Sequence, residues 1–215
     1  MDDDNLDDAP TQDLPPEIVA REAALLQTEP PTEVLDLAMA CVQFVERAIG
    51  VRLDFTVETL PILDHYLAEA RKTLRSKAEH EPALVVASAA GAYVGEVVRR
   101  RFPSFWVLTP ADQTEHRLQF MRLFLTVKPV IWVMDALTWE DAHGADGALA
   151  MILEPDDRKF VAPRLAELPA VTDEEFVRPS TRVEVLDIVV EAITTKQSAD
   201  GDPPLSLEAE DYLDG

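Results

Sequence analysis

Residues 83 to 95, Ala-Leu-Val-Val-Ala-Ser-Ala-Ala-Gly-Ala-Tyr-Val-Gly, are apolar or small at nearly every position. A helix of this kind has no face to offer water, so it must lie at the centre of a fold. Pro82 marks its start, and Arg99, Arg100 and Arg101 fill its last turn, where cations complement the helix dipole. Ala87, Gly91 and Gly95 recur every four residues and form one stripe. Each glycine weakens a helix by about 1 kcal/mol relative to alanine. Two on one face therefore predict a second backbone packed against the stripe.

Amphipathic helices surround this segment. Pro16 to Gln27 reads as a short helix with proline in its first turn. Thr32 can cap a helix that reaches Ile49 and stops at Gly50, with Leu35, Val42 and Ile49 repeating every seven residues beside Ala38, Cys41 and Val45. From about Val57 to Ser76, Leu60, Leu63, Leu67, Ala70 and Leu74 share one helical face. Pro61 shifts the start of that helix towards Thr59.

After Pro103 the period changes. Phe105 to Leu108 and Arg117 to Thr126 read as strands, and a phase slip between Phe120 and Met121 predicts a bulge or burial on both faces. Pro129 opens a helix reaching about Ala142, while residues 148–153 fit strand or helix equally. Pro155, Pro163, Pro169 and Pro179 divide the next stretch of chain into short pieces. Thr172 with Glu175, and Thr181 with Glu184, match the capping-box spacing. The second pair would start a helix carrying Val183, Leu186, Val190 and Ile193, although its β-branched residues leave a strand as the alternative. The fold expected is a helix-dominated α+β domain over residues 16–198, with a small antiparallel sheet packed on the glycine-bearing helix.

Charge limits the function. The 215 residues carry 41 acids against 19 Lys and Arg, a net charge of −22. Seven of the acids fall within residues 1–17 and six within 200–215, and neither stretch holds a Lys or Arg. Residues 1–15 and 199–215 therefore read as disordered acidic tails. Such a surface repels phosphate backbones, so direct nucleic-acid binding is not expected, whereas a basic protein partner would suit it. No apolar run reaches the length of a membrane helix, and the acidic start is unlike a secretory signal. The single cysteine, Cys41, excludes an internal disulfide and a cysteine metal cage, and points to a reduced cytoplasmic setting.

Motifs for chemistry are sparse. The Glu140-Asp-Ala-His143-Gly-Ala-Asp146-Gly147 stretch lacks the alternating ligands of a calcium loop. His65, His80, His116 and His143 fall in no metal-binding spacing, so neither metal nor cofactor is expected. Cys41 sits in an apolar stripe, the setting of an inert thiol, and Ser88 lies mid-helix among alanines. One constellation stands apart: Tyr93, Glu96, Arg99 and Arg100 on the central helix, with Trp106 on the strand beyond it. Glu96 comes after two apolar turns and needs a partner. Arg99 and Arg100 lie within reach on the same helix, and Arg71 or Arg75 can approach across helices. The cluster has two readings, a structural ion pair or a pocket around Tyr93, Glu96, Arg99 and Trp106.

The segments Leu53-Asp-Phe-Thr-x-Glu-Thr-Leu-x-x-Leu-Asp64, Gly91-Ala-Tyr-Val-Gly-Glu-Val-Val-Arg-Arg100 and Phe105-Trp-Val107 resemble small bacterial domains of unknown function. In those domains a "GAYxGE" helix precedes a short antiparallel sheet. The likeness covers about residues 50–130, implies a bacterial α+β domain and carries no chemistry. The expected function is a non-enzymatic, cytosolic interaction or regulatory protein, a component of an assembly or an immunity-type partner. The rival is an enzyme or small-ligand-binding domain built on the pocket reading.

Overall fold

The computed structural model describes residues 14–75, 80–138 and 151–212. The Glu140–Gly147 stretch, with His143, and residues 1–13 lie outside them, as do residues 148–150 of the segment with two readings. In the described part, helices dominate and four short strands form one antiparallel sheet. The helices are α1 (Pro16–Gln27), α2 (Thr32–Ile49), α3 (Leu60–Arg75), α4 (His80–Arg101), α5 (Pro129–Thr138), α6 (Pro155–Ala166), α7 (Asp173–Phe176) and α8 (Pro179–Asp200). The strands are β1 (Ser104–Val107), β2 (Arg117–Phe120), β3 (Leu125–Val127) and β4 (Met151–Leu153).

Helix α4 is the buried centre. Every residue from Ala87 to Arg99 is buried, and α2 and α5 pack along it. The glycine stripe meets the predicted backbone at Gly91 and a side chain at Gly95. A Cβ on Gly91 would lie 2.6 Å from the Cα of Val130, and one on Gly95 would lie 2.3 Å from the Trp106 ring. The first glycine admits the backbone of α5, and the second admits β1.

The sheet runs in the order β1-β2-β3-β4. Leu118 pairs with Trp106 and Val127, and Val127 with Met151, forming a row on the helix-facing side. Gln119 pairs with Phe105 and Thr126, and Thr126 with Ile152, forming a row on the outer side. Residues 151–153, which periodicity leaves undecided, are strand.

Several expectations need correction. Residues 117–126 are not one bulged strand: the phase slip at Met121 is a turn, and the chain folds back as β3. Helix α2 begins without a side-chain cap from Thr32, and its buried stripe centres on Val34, Ala38, Cys41, Val42 and Val45, leaving Leu35 and Ile49 half-buried. Thr172 and Glu175 do form a capping box. Thr181 and Glu184 do not, because α8 already starts at Pro179. Residues 183–193 are helical.

The largest difference concerns residues 199–212, expected as free acidic tail. Helix α8 runs to Asp200 and ends at Gly201, whose φ of 72° suits glycine. The chain then returns along the sheet. Leu207 is buried and its N–H donates to the Met121 carbonyl at 2.8 Å, while Tyr212 anchors the far end. Two apolar side chains among the acids outweigh the composition there.

Gly91→Ala gains helix propensity worth at most about 1 kcal/mol. The clash with the Val130 backbone should outweigh that gain and leave a net loss of about 1–3 kcal/mol. Denaturant unfolding will measure it, and a variant as stable as the parent would show that α5 shifts freely.

Candidate functional site

The five residues singled out by sequence are neighbours, and bonds among the described residues join Glu96, Arg99 and Trp106. Glu96 is completely buried. Arg99 grips it with two parallel bonds, Nε–H to Oε1 at 2.8 Å and Nη2–H to Oε2 at 2.9 Å. Trp106 adds a third, Nε1–H to Oε1 at 2.8 Å. The remaining Arg99 nitrogen, Nη1, donates to the Leu25 carbonyl at 3.1 Å, in the last turn of α1. A single carboxylate thus ties α4 to β1 and, through Arg99, to α1. Such charge-assisted, bidentate geometry is what a buried pair needs to offset desolvation. Arg71 pairs instead with Glu174 at 2.7 Å.

Tyr93 and Arg100 serve a neighbouring loop. The Tyr93 hydroxyl accepts the Phe55 N–H at 2.9 Å and shares a bond with Thr59 Oγ1 at 2.7 Å. Burial pushes the Tyr93 phenol above its ordinary range. Phe55 has a φ of 67°, which for a residue with a Cβ costs on the order of 1–3 kcal/mol. Tyr93 holds that conformation, and its ring lies 4.8 Å from the Phe55 ring. Asp54 caps the next turn by accepting the N–H and hydroxyl of Thr56, bonds that draw its carboxyl below the usual range. Arg100 is exposed and stacks on Phe55 at 4.1 Å, with its Nε 4.0 Å from Glu96. The Leu53–Asp64 and Gly91–Arg100 segments therefore meet in space.

The other sequence candidates offer little chemistry. Burial pushes the Cys41 thiol up to about 12, far from a reactive thiolate. His65 is exposed. His116 is buried, accepts the Thr109 N–H on Nδ1 at 3.2 Å, and sets Nε2 3.4 Å from Glu33. Among the described residues no group of three or more His, Cys, Asp or Glu is placed to hold a metal, and no helix is long and apolar enough to cross a membrane. Asp64 is drawn upward by burial and accepts both the N–H and the hydroxyl of Ser180, a link from α3 to α8.

A cavity of about 520 Å3 opens instead on the outer face of the sheet. Arg117 and Gln119 of β2, Thr126 of β3 and Ile152 of β4 form its floor. Phe124 and Tyr212 stand at one side, with Glu154 and Asp211 on the rim. Tyr212 is immobilised: its hydroxyl lies 2.7 Å from the Phe120 carbonyl and 2.6 Å from that of Leu123, and it accepts the Phe120 N–H at 3.1 Å. Burial pushes its phenol well above the ordinary range. Within this floor, Arg117 Nε and Gln119 Oε1 are buried with no hydrogen-bond partner among the described residues. Sequence reasoning passed over these residues. Their only signal is the alternation Arg117-Leu-Gln119-Phe, in which polar side chains occupy the second face of a strand.

Comparison with protein-family models, with curated proteins and with solved structures gives no match in any of the three.

Glu96→Gln keeps the shape and removes the charge that Arg99 needs. A loss of about 1–3 kcal/mol is expected, read from thermal and denaturant unfolding. A midpoint at or above the parent would mean that the carboxylate is held at the expense of stability, as in a functional site. Tyr212→Phe should cost about 1 kcal/mol and expose the segment after Gly201 to limited proteolysis. An unchanged cleavage pattern would show that Leu207 and the Arg21 bonds to Ser206 and Glu208 hold it without the hydroxyl.

Proposed function

We propose that the protein is a non-enzymatic interaction or regulatory protein of bacterial type, acting in the cytosol on a protein partner of basic character. The observation that carries this reading is the saturation of the Glu96 cluster. Its carboxylate oxygens and the Arg99 nitrogens bond to one another, to Trp106 and to the Leu25 carbonyl. A general acid or base must keep an atom within hydrogen-bond reach of substrate, which this geometry withholds. The rival reading, an enzyme or ligand domain centred on Tyr93, Glu96, Arg99 and Trp106, would need Glu96 or Arg99 to exchange these bonds for substrate.

Electrostatics support the basic partner. Several acids stand near the surface beyond those spent on ion pairs, among them Glu17, Glu167, Asp173 and Glu210. Their combined field would steer a cationic surface and make association sensitive to salt.

The test is affinity capture from bacterial extract, then reconstitution of a binary complex from purified components. The complex should form and weaken about tenfold or more between about 50 and 300 mM salt, as screening shortens the reach of the field. A reconstituted complex indifferent to salt would overturn the basic partner. Turnover in a screen of metabolites and model substrates, abolished by Glu96→Gln in a folded protein, would overturn the non-enzymatic reading.

A further inference from the structure

We infer that the cavity on the outer face of the sheet binds a small organic acid, an apolar carboxylate with an N–H or O–H group near it, seated on Arg117 and Gln119. The inference goes beyond the interaction reading and does not depend on it.

The argument begins with the unpartnered atoms. This chain carries 41 acids for 19 Lys and Arg, so a cation that needs a carboxylate rarely lacks one. Arg21, Arg71, Arg99, Arg101, Arg122 and Arg182 each have one within 2.8 Å. Arg47, Arg158 and Arg178 form no such pair among the described residues, but they are exposed and water solvates them. Arg117 differs from both groups. It is half-buried, its Nε is shut off from solvent, and no carboxylate of the described residues reaches it. Gln119 repeats the pattern: it is 5% exposed and its Oε1 has no partner among the described residues. Buried polar groups are ordinarily satisfied, and each exception needs an explanation.

The two side chains are two residues apart on one strand, so they stand on the same face about 7 Å apart at the backbone. A guanidinium offers a planar fork matched to a carboxylate. A carboxamide both donates and accepts, so it completes a ligand that bears an N–H or O–H beside that carboxylate. The volume of about 520 Å3 suits a small molecule. Phe124 and Tyr212, with ring centroids 5.6 Å apart, and Ile152 supply the apolar surface. The hydrogen bonds of Tyr212 fix that wall before any ligand arrives.

Neither rim acid is paired with Arg117 among the described residues. The strand register places Glu154 two strands across and four residues further along than Arg117, roughly 16 Å apart at the backbone. Asp211 already accepts the Glu208 N–H.

The experiment titrates the full-length protein with N-acetyl-phenylalanine, 3-phenyllactate and N-acetyl-phenylalaninamide, read by calorimetry and by amide chemical shifts. The two acids should bind saturably. The amide, which lacks only the carboxylate, should bind at least tenfold more weakly. In Arg117→Met the acid should fall to the level of the amide, and the two losses should not add. The unliganded variant should melt no lower than the parent, because an unpaired guanidinium contributes little to the fold. A tetrapeptide ending in phenylalanine separates two sources of the same chemistry: tighter binding than the free acid assigns the site to a chain terminus, and equal or weaker binding to small acids. Equal binding of acid and amide to the parent protein needs no variant and would overturn the proposal. So would the absence of saturable binding by either acid, or a folded Arg117→Met that binds as the parent does.

Discussion

The close approach of α4 to its neighbours is the constraint on which the rest of the structure depends. Because Gly91 has no side chain, Val130 brings its backbone to where a Cβ would be, and this fixes where α5 runs. Because Gly95 has none either, the Trp106 ring lies flush on the helix. Only then does the indole N–H fall within bonding distance of Glu96, one residue further along α4. The glycines thus set the geometry that makes a buried carboxylate tolerable. A larger residue at either position would separate the layers and leave Glu96 with fewer donors, so steric and electrostatic terms reinforce each other here.

The fold handles buried charge differently in its two halves. At Glu96 the donors exceed what one arginine provides, and the pair is closed on every side. At Asp135 and Arg182, which join α5 to α8, the contact is a single bond at 2.8 Å and two guanidinium nitrogens have no partner among the described residues. Burial there raises the Asp135 carboxyl and lowers the Arg182 guanidinium, outweighing their mutual attraction in both. A pair of that kind gives weak evidence of stability and better evidence of register. The apolar faces of α5 and α8 can slide on each other, whereas a buried charge accepts few positions.

Much of the architecture was legible in local sequence because local rules governed it. The all-apolar run, the glycine stripe and the closing arginines specified α4, and prolines and caps marked most other helix starts. What could not be read depended on residues far apart in the chain. The turn at Met121 looks like a bulge because its backbone groups are satisfied by Leu207 and Tyr212, some ninety residues later. Those two side chains stand in an acidic stretch whose composition says tail, and composition averages over the few residues that dock. The Glu96 cluster was found by the same kind of rule, since i to i+3 spacing brought Arg99 to Glu96. Its bonds to Trp106 and Leu25 join elements that spacing does not locate.

The sheet face shows the opposite balance. A strand facing water needs nothing at its polar positions, and a strand facing core carries apolar ones. β2 does neither on its outer side, because Gln119 is as enclosed as many core residues and yet polar. Leaving such a group unmatched costs about 1–3 kcal/mol, a large part of the net stability of a typical domain. An apolar residue at position 119 would avoid that cost, and Phe105 and Phe124 show that the face accommodates apolar groups. The fold gains nothing visible from the amide, whereas a ligand seated on Arg117 would. Glu96 and Gln119 are thus both buried polar side chains, and what separates them is the completeness of their partners within the chain.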